Sequence, residues 1–408
     1  MTRAKMGENA PGAMTPNDEG KRFVGSLTAW PADFQRPTER SVRASLSAAL
    51  DAVGLATTSN GTSSGADREL LGLPEAERVC FVLVDGLGYA NLAARSGHAA
   101  TLRSWTHLDP LTTVAPSTTA AAITSVGTGE LPGATAMLSY SLRAPESGRN
   151  FSLIKWDDPT VDPVEWQREP TLFERLGERA KECRLVQPKS FVGSGLTLCA
   201  LRGASATPAD TNDERIAAAS RELRRGAKAV YLYWKEIDHT GHAKGWLSED
   251  WVGELEALDA ALRQLARRVP RGTLIVVTAD HGMIDVSERI DVALEPALTQ
   301  DVELVSGEER SLHLYTRAGA AADVAARWQD SLGEQSWVLT KDEAAVSGLF
   351  GTLGETALSV MGDVVVFQRG TLSLIDSRLR RPDQSFMRGV HGSLTSEEML
   401  VPLIVEVA

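Results

Sequence analysis

Five short stretches of the chain carry residue types that can hold a divalent cation or act on a phosphoryl group. In EIDHTGHAKG, Asp238 and His242 are four residues apart, which lets them meet on one face of a helical turn, or within a loop, to chelate one cation. Asp280-His281 follows the apolar run LIVVTA directly, Asp85 follows VCFVLV, and His391 lies in GVHGSL between glycines that permit an unusual backbone. Each has an ordinary role when taken alone, since an Asp after a strand caps a helix or forms a turn and a His-Gly pair sits in a loop. Their coincidence carries the argument. Three Asp and three of the seven His fall at expected strand ends, and carboxylate and imidazole are the ligands that hard-to-borderline metals such as zinc favour. The fifth stretch, Pro116-Ser117-Thr118-Thr119-Ala120-Ala121-Ala122-Ile123-Thr124, puts hydroxyls at the start of an expected helix. A hydroxyl there caps the helix. It also becomes a nucleophile if a bound cation lowers its pKa, while the helix end attracts a phosphoryl group.

A sheet must position these groups. Val79–Val84 is a continuous, β-branched apolar run of the kind buried on both faces, and Ala229–Trp234 and Leu274–Thr278 repeat it. Helical stretches such as Ala217–Arg225 and Val252–Arg268 alternate with them. The pattern predicts a three-layer α/β/α body around a mostly parallel sheet, and ligands in such sheets sit beyond the carboxyl ends of the strands. Between Leu304 and Gly370 the texture changes: Ser311–Thr316, Ala320–Leu332, Trp337–Leu339, Lys341–Leu349 and Asp363–Gln368 read as strand, helix, strand, helix, strand. The expected organisation is a mobile tail over 1–25, a catalytic body over 26–303 and 371–408, and a small α+β cap inserted over 304–370. Ser41–Leu55 has helical spacing, and the polar run TTSNGTSSGAD after it reads as a flexible loop, with most ordered structure beginning beyond it.

The motifs DGLG after a strand, PSTT opening a helix, DHTGH, ADHG and a late HG, in that order from about Val79 to Val405, resemble the alkaline phosphatase superfamily, and within it the bacterial type I phosphodiesterase/nucleotide pyrophosphatase branch. The resemblance implies two metal sites, one of Asp85, Thr119, Asp280 and His281, the other of Asp238, His242 and His391. It implies zinc, with manganese or magnesium in some branches, and Thr119 as nucleophile; Thr118 takes that place if the register slips by one. Two features depart from the family pattern. Ala120-Ala121-Ala122 stands where eukaryotic-like members carry Phe-Pro-Asn, so a phosphate oxygen needs another donor, for which the Ala120 N–H is placed. The His-Gly that often follows the nucleophile helix is absent from Pro132–Ala136.

The implied activity is cleavage of a phosphodiester or nucleotide pyrophosphate through a phospho- or nucleotidyl-threonine. The alternatives are a phosphomonoesterase, phosphonate hydrolase or phosphosugar mutase of the same superfamily, and a non-catalytic metal-stabilised binding protein. A mutase is disfavoured by the Thr nucleophile and the small insertion. Between the first and second metal motifs lie Tyr140, Asn150, Lys155, Trp156 and the Gly193–Thr197 loop, from which Asn150 and Lys155 are the candidate substrate contacts.

Composition narrows the class. The 408 residues are 43% hydrophobic and 24% charged, the balance of a folded protein. A net charge of -12 opposes broad nucleic-acid binding, which needs a basic surface, but not a small phosphoester or nucleotide held through a cation. Cys80, Cys183 and Cys199 are odd in number and lack CxxC spacing, so they read as core residues. No apolar run reaches the length of a membrane span and Met1–Phe23 lacks a signal-like apolar region, so the expected location is cytoplasmic.

Overall fold

Three apolar strands set the architecture. In a computed structural model that describes residues 30–379 and 386–408, Arg78–Val84 (β1), Ala229–Trp234 (β5) and Thr273–Ala279 (β6) lie side by side in parallel register. Every residue from Val79 to Val84, and every residue of β5 and β6, is buried, which requires cover on both faces of the sheet. The sheet has seven strands in the order β2-β11-β6-β1-β5-β3-β4, where β2 is Thr106–Thr112, β3 Cys183–Gln187, β4 Ser205–Pro208 and β11 Leu400–Val407. All pairs are parallel except those of β11, which runs antiparallel to both β6 and β2. The sheet is therefore mostly parallel, as the sequence predicts.

Helices α1 (Arg43–Ala52), α2 (Thr119–Thr128), α3 (Gly195–Leu201), α4 (Asn212–Arg224), α5 (Glu236–Lys244) and α6 (Glu249–Arg268) accompany it. In α6, Trp251, Leu255, Leu258, Leu262 and Leu265 are buried at three- and four-residue spacing, the stripe of a helix that packs on one face. Burial pushes the Cys80 and Cys183 thiols up to about 12, in keeping with their core positions. Residues 31–408 form one compact unit. The tail expected over 1–25 lies outside the described residues.

The polar run after α1 is not a flexible loop. Asn60 and Gly61, at φ 46° and 69°, turn a two-residue hairpin between Thr58–Ser59 and Thr62–Ser63, and Ser63 then caps the helix Ser64–Leu71 by accepting from the Ala66 N–H at 3.2 Å. Asn-Gly is the residue pair that tolerates two positive φ angles in such a turn. Asp67 in this helix is fully buried against Arg43 of α1 at 3.2 Å, so the segment packs where composition alone suggested solvent.

Residues 302–368 carry a second sheet, antiparallel, in the order β7 (Val302–Glu308), β8 (Ser311–Thr316), β10 (Val364–Gln368), β9 (Ser336–Thr340), with α7 (Ala321–Leu332) against it. Val324, Trp328, Val338, Val364 and Val366 are among the residues of its own core. His313 on β8 is locked neutral there: Nδ1 accepts from the Gly362 N–H at 3.1 Å and Nε2 donates to the Leu138 carbonyl at 3.1 Å. Burial depresses its pKa from 6.5 to about 4. An unfolded chain binds a proton at His313 below pH 6.5 while the folded chain does not until about pH 4, so stability falls across that window as pH drops. The expected loss is about 3 kcal/mol. Denaturant melts at pH 7 and pH 4.5 should show a smaller difference for His313→Asn than for the parent chain.

Candidate active site

The sheet ends bring the predicted cluster together. Asp85 leaves β1 and Asp280 leaves β6, which are neighbours in register through Val84 and Ala279. The Asp85 N–H donates to the Trp234 carbonyl at 2.8 Å, tying the turn to β5. Gly86 follows at φ 73°, and a Cβ there would stand 2.9 Å from that of Asp238, so glycine is what lets the β1 loop reach the first turn of α5. The Gly86 N–H donates to Asp280 Oδ1 at 3.1 Å and the His281 N–H to the same oxygen at 3.0 Å. The other Asp280 oxygen, Oδ2, is left facing His281 Nε2 at 3.5 Å.

The three histidines are oriented by backbone carbonyls, and each turns its Nε2 toward the carboxylates. His281 Nδ1 donates to the Gly282 carbonyl at 3.0 Å, His391 Nδ1 to that of Ser117 at 2.9 Å and His242 Nδ1 to that of Gly389 at 2.8 Å. His281 Nε2 lies 3.4 Å from Asp85 Oδ1, His242 Nε2 3.2 Å from Asp238 Oδ2 and His391 Nε2 3.7 Å from Asp238 Oδ1. The His281 and His391 rings stack at 3.6 Å. A carbonyl on one ring nitrogen fixes the tautomer that frees the other for a metal.

Thr119 is the first residue of α2, and its Oγ1 is 3.0 Å from His281 Nε2. Thr119 lines the cavity that opens over the cluster and Thr118 does not. As in any helix, the N–H groups of the first turn, Ala120 among them, have no partner within α2.

The electrostatics are those of a candidate cation site. Asp85 Oδ1, Asp238 Oδ1 and Asp280 Oδ2 are buried with no hydrogen-bond partner among the described residues. Burial, then the neighbouring carboxylates Asp280 and Asp238, pushes Asp85 well above the usual carboxylate range. Burial also raises Asp280, against the opposing pull of His281. For Asp238 burial is outweighed by His242 and His391, which hold its carboxyl down, and Asp238 in turn lifts His242 to about 9 against the effect of burial. Such a charge-frustrated arrangement fits cations bound among these oxygens. Asp238, His281 and His391, and separately Asp85, Asp280 and His281, have ligand atoms within 4.8 Å of one another.

Several participants have no motif to announce them. The Tyr233 hydroxyl donates to Asp85 Oδ2. Glu308, at the end of β7, brings a carboxylate to the cavity edge, with Oε2 3.7 Å from His391 Nδ1. Arg310 and Glu398 form a fully buried pair at 2.8 Å, and Glu398 accepts from the Ser393 N–H at 3.0 Å, two residues after His391. Glu398→Ala should cost about 3–5 kcal/mol by leaving a buried guanidinium uncompensated; chemical denaturation of the two proteins measures it.

A cavity of about 840 Å³ opens over the cluster, with Tyr140, Asn150, Lys155, Glu308 and Leu312 among the residues that line it. Trp156 is not in its wall. Its ring packs edge-on to Phe151 and Trp166, over Gly195, where a Cβ would meet the indole at 2.3 Å. Within the Gly193–Thr197 loop, Ser194 caps α3 and Leu196 and Thr197 reach the cavity.

The comparisons with known proteins agree with this architecture. The family model described as type I phosphodiesterase/nucleotide pyrophosphatase matches residues 79–394. A phosphonoacetate hydrolase from Sinorhizobium meliloti 1021, solved with phosphonoformate, superposes with a TM-score of 0.67 at 20% identity over 86% of this chain and 92% of that one. Murine ectonucleotide pyrophosphatase/phosphodiesterase 5 superposes at 0.63 with 15% identity over 80% and 87%. An inactive variant of the murine protein, in complex with AMP, superposes at 0.63 with 15% identity over the same shares. No curated protein matches the chain in sequence.

Proposed function

We propose a function from one premise: the chain belongs to the type I phosphodiesterase/nucleotide pyrophosphatase family. The family is metal-dependent, and its members and structural neighbours hydrolyse phosphoric esters or phosphonates. Our reading is that this chain cleaves a phosphodiester or nucleotide pyrophosphate with Thr119 as nucleophile. The observation that carries it is the 3.0 Å approach of Thr119 Oγ1 to His281 Nε2, beside two buried carboxylates with unpartnered oxygens.

Asp85, Thr119, Asp280 and His281 would hold one divalent cation and Asp238, His242 and His391 a second, zinc before manganese or magnesium. Bound there, such ions supply positive charge for the attacking and leaving oxygens. Thr119 Oγ1, freed of its proton, forms the bond to phosphorus while the bond to the leaving oxygen breaks. The expelled oxygen takes up a proton and leaves in this first step, as an alcohol from a diester or as a phosphate or phosphate ester from a nucleotide pyrophosphate; water then displaces Thr119, which regains its proton, and releases a phosphomonoester. The Ala120 N–H at the start of α2 would bind a phosphate oxygen in place of the Asn that eukaryotic-like members carry. Asn150 and Lys155 would contact the substrate from the cavity wall, and residues 304–370 would act as the cap over it.

A second reading has its own support. Lys155 is exposed at the cavity and has no ion-pair partner among the described residues, and a substrate with a second anionic group, as in phosphonoacetate, would use such a cation. One experiment separates the readings: kcat/KM for a phosphomonoester, a phosphodiester, a dinucleotide and phosphonoacetate, with bound metal quantified in the same sample. The diester or dinucleotide should lead. Preference for the monoester or the phosphonate would overturn the first reading.

A further inference from the structure

Two polar residues that line the cavity are left unused by the chemistry above. Gln187 is the last residue of β3, at the carboxyl edge of the sheet where ligands bind in this type of fold. The residue lines the cavity, is 3% exposed, and has a buried Nε2 with no hydrogen-bond partner among the described residues. Tyr231 on the adjacent strand β5 is 2% exposed, lines the same cavity, and has an equally unpartnered hydroxyl.

The surroundings explain why none of the described residues satisfies them. The register that pairs Leu185 with Tyr231 and Val186 with Leu232 continues to put Gln187 beside Tyr233, whose hydroxyl is committed to Asp85. Ser194 Oγ donates to Thr197 Oγ1 at 3.1 Å, and Thr197 Oγ1 to the Phe191 carbonyl at 2.7 Å, so the nearby hydroxyls are engaged with each other. Phe191, Leu196, Leu201 and Ile123 supply apolar wall. A buried donor without a partner is costly unless something entering the cavity meets it.

We propose that Gln187, with the Tyr231 hydroxyl, forms a specificity subsite for an uncharged group of the substrate that presents a hydrogen-bond donor and acceptor on one edge. An amide offers one donor group and one acceptor in a plane, and a tyrosine hydroxyl does either job; neither balances a charge. The edge of a heterocyclic base and the vicinal hydroxyls of a polyol both have this chemistry. The inference rests on the phosphoester reading of the neighbouring site.

The test compares the metal-loaded parent chain with Gln187→Leu and Tyr231→Phe. Calorimetry gives the affinities of thymidine 5′-monophosphate and glycerol 3-phosphate relative to inorganic phosphate, which fills the phosphoryl position alone. In the parent chain one of the two organic phosphates should bind more tightly than phosphate, and which one does identifies the source of the edge. Gln187→Leu should lower that ratio roughly 10-fold or more, and Tyr231→Phe in the same direction by less, while phosphate affinity stays within about 2-fold. A ratio unchanged in Gln187→Leu overturns the subsite, as does an equal loss for phosphate and both organic ligands. Turnover of bis(p-nitrophenyl) phosphate in the same samples separates the two claims: binding that follows the prediction without turnover sinks the hydrolase reading and supports the subsite, and turnover with an unchanged ratio does the reverse.

Discussion

Thr119→Ala should lower kcat on bis(p-nitrophenyl) phosphate by at least roughly 10³-fold, the scale on which loss of a nucleophile is felt. The change removes one hydroxyl and one methyl group from a buried position at the start of α2. It leaves the tethers of all three histidines in place, because those run to the carbonyls of Gly282, Ser117 and Gly389. The fold and most of the ligand set should therefore survive, and metal content measured beside the rate checks this. Thr118→Ala is the matched control, since Thr118 sits one residue earlier, outside the cavity wall. It should keep activity within about 10-fold of the parent, as expected of a residue that touches no reacting atom. Full turnover by Thr119→Ala, or a collapse confined to Thr118→Ala, would move the nucleophile.

The second large effect concerns the carboxylates. Chelation should abolish turnover and also lower the melting temperature, because the buried Asp85 and Asp280 and the half-buried Asp238 are then left together without a cation. Asp85→Asn makes the prediction sharper, since it removes one charge from the group while keeping its shape. In the metal-free protein it should raise stability by roughly 1–3 kcal/mol, the range for relieving a strained functional site. In the presence of zinc it should lower both activity and the stabilisation that zinc confers. Opposite signs in the two states are what a site built around cations produces. A purely structural role for Asp85, which also accepts from the Tyr233 hydroxyl, would make Asp85→Asn destabilising in both.

Much of this site was legible because its chemistry is local. Asp85, Asp280 and His281 stand where buried apolar strands end, and Asp238 and His242 share one short helix, so spacing and hydropathy found them. The sheet's composition was legible for the same reason. What escaped depends on contacts between distant segments. Glu308 reaches the cluster because β7 pairs with β8, while its own segment, VELVSGE, carries no regular alternation of apolar and polar residues. Gln187 and Tyr231 look like interior residues of ordinary strands until the register sets them under the cavity. The Asn60-Gly61 hairpin was hidden by composition, since a polar, glycine-containing run says solvent while the residue pair itself says turn.

The central claim is displacement in two steps through Thr119, and the stereochemical course at phosphorus tests it most directly. Each in-line displacement inverts the phosphorus centre, so attack by Thr119 followed by attack by water must return the original configuration. A diester made chiral with sulfur, hydrolysed in ¹⁸O-labelled water, should give a product with net retention. Net inversion would mean that water attacks the substrate directly, and would contradict the assignment of Thr119 as the nucleophile.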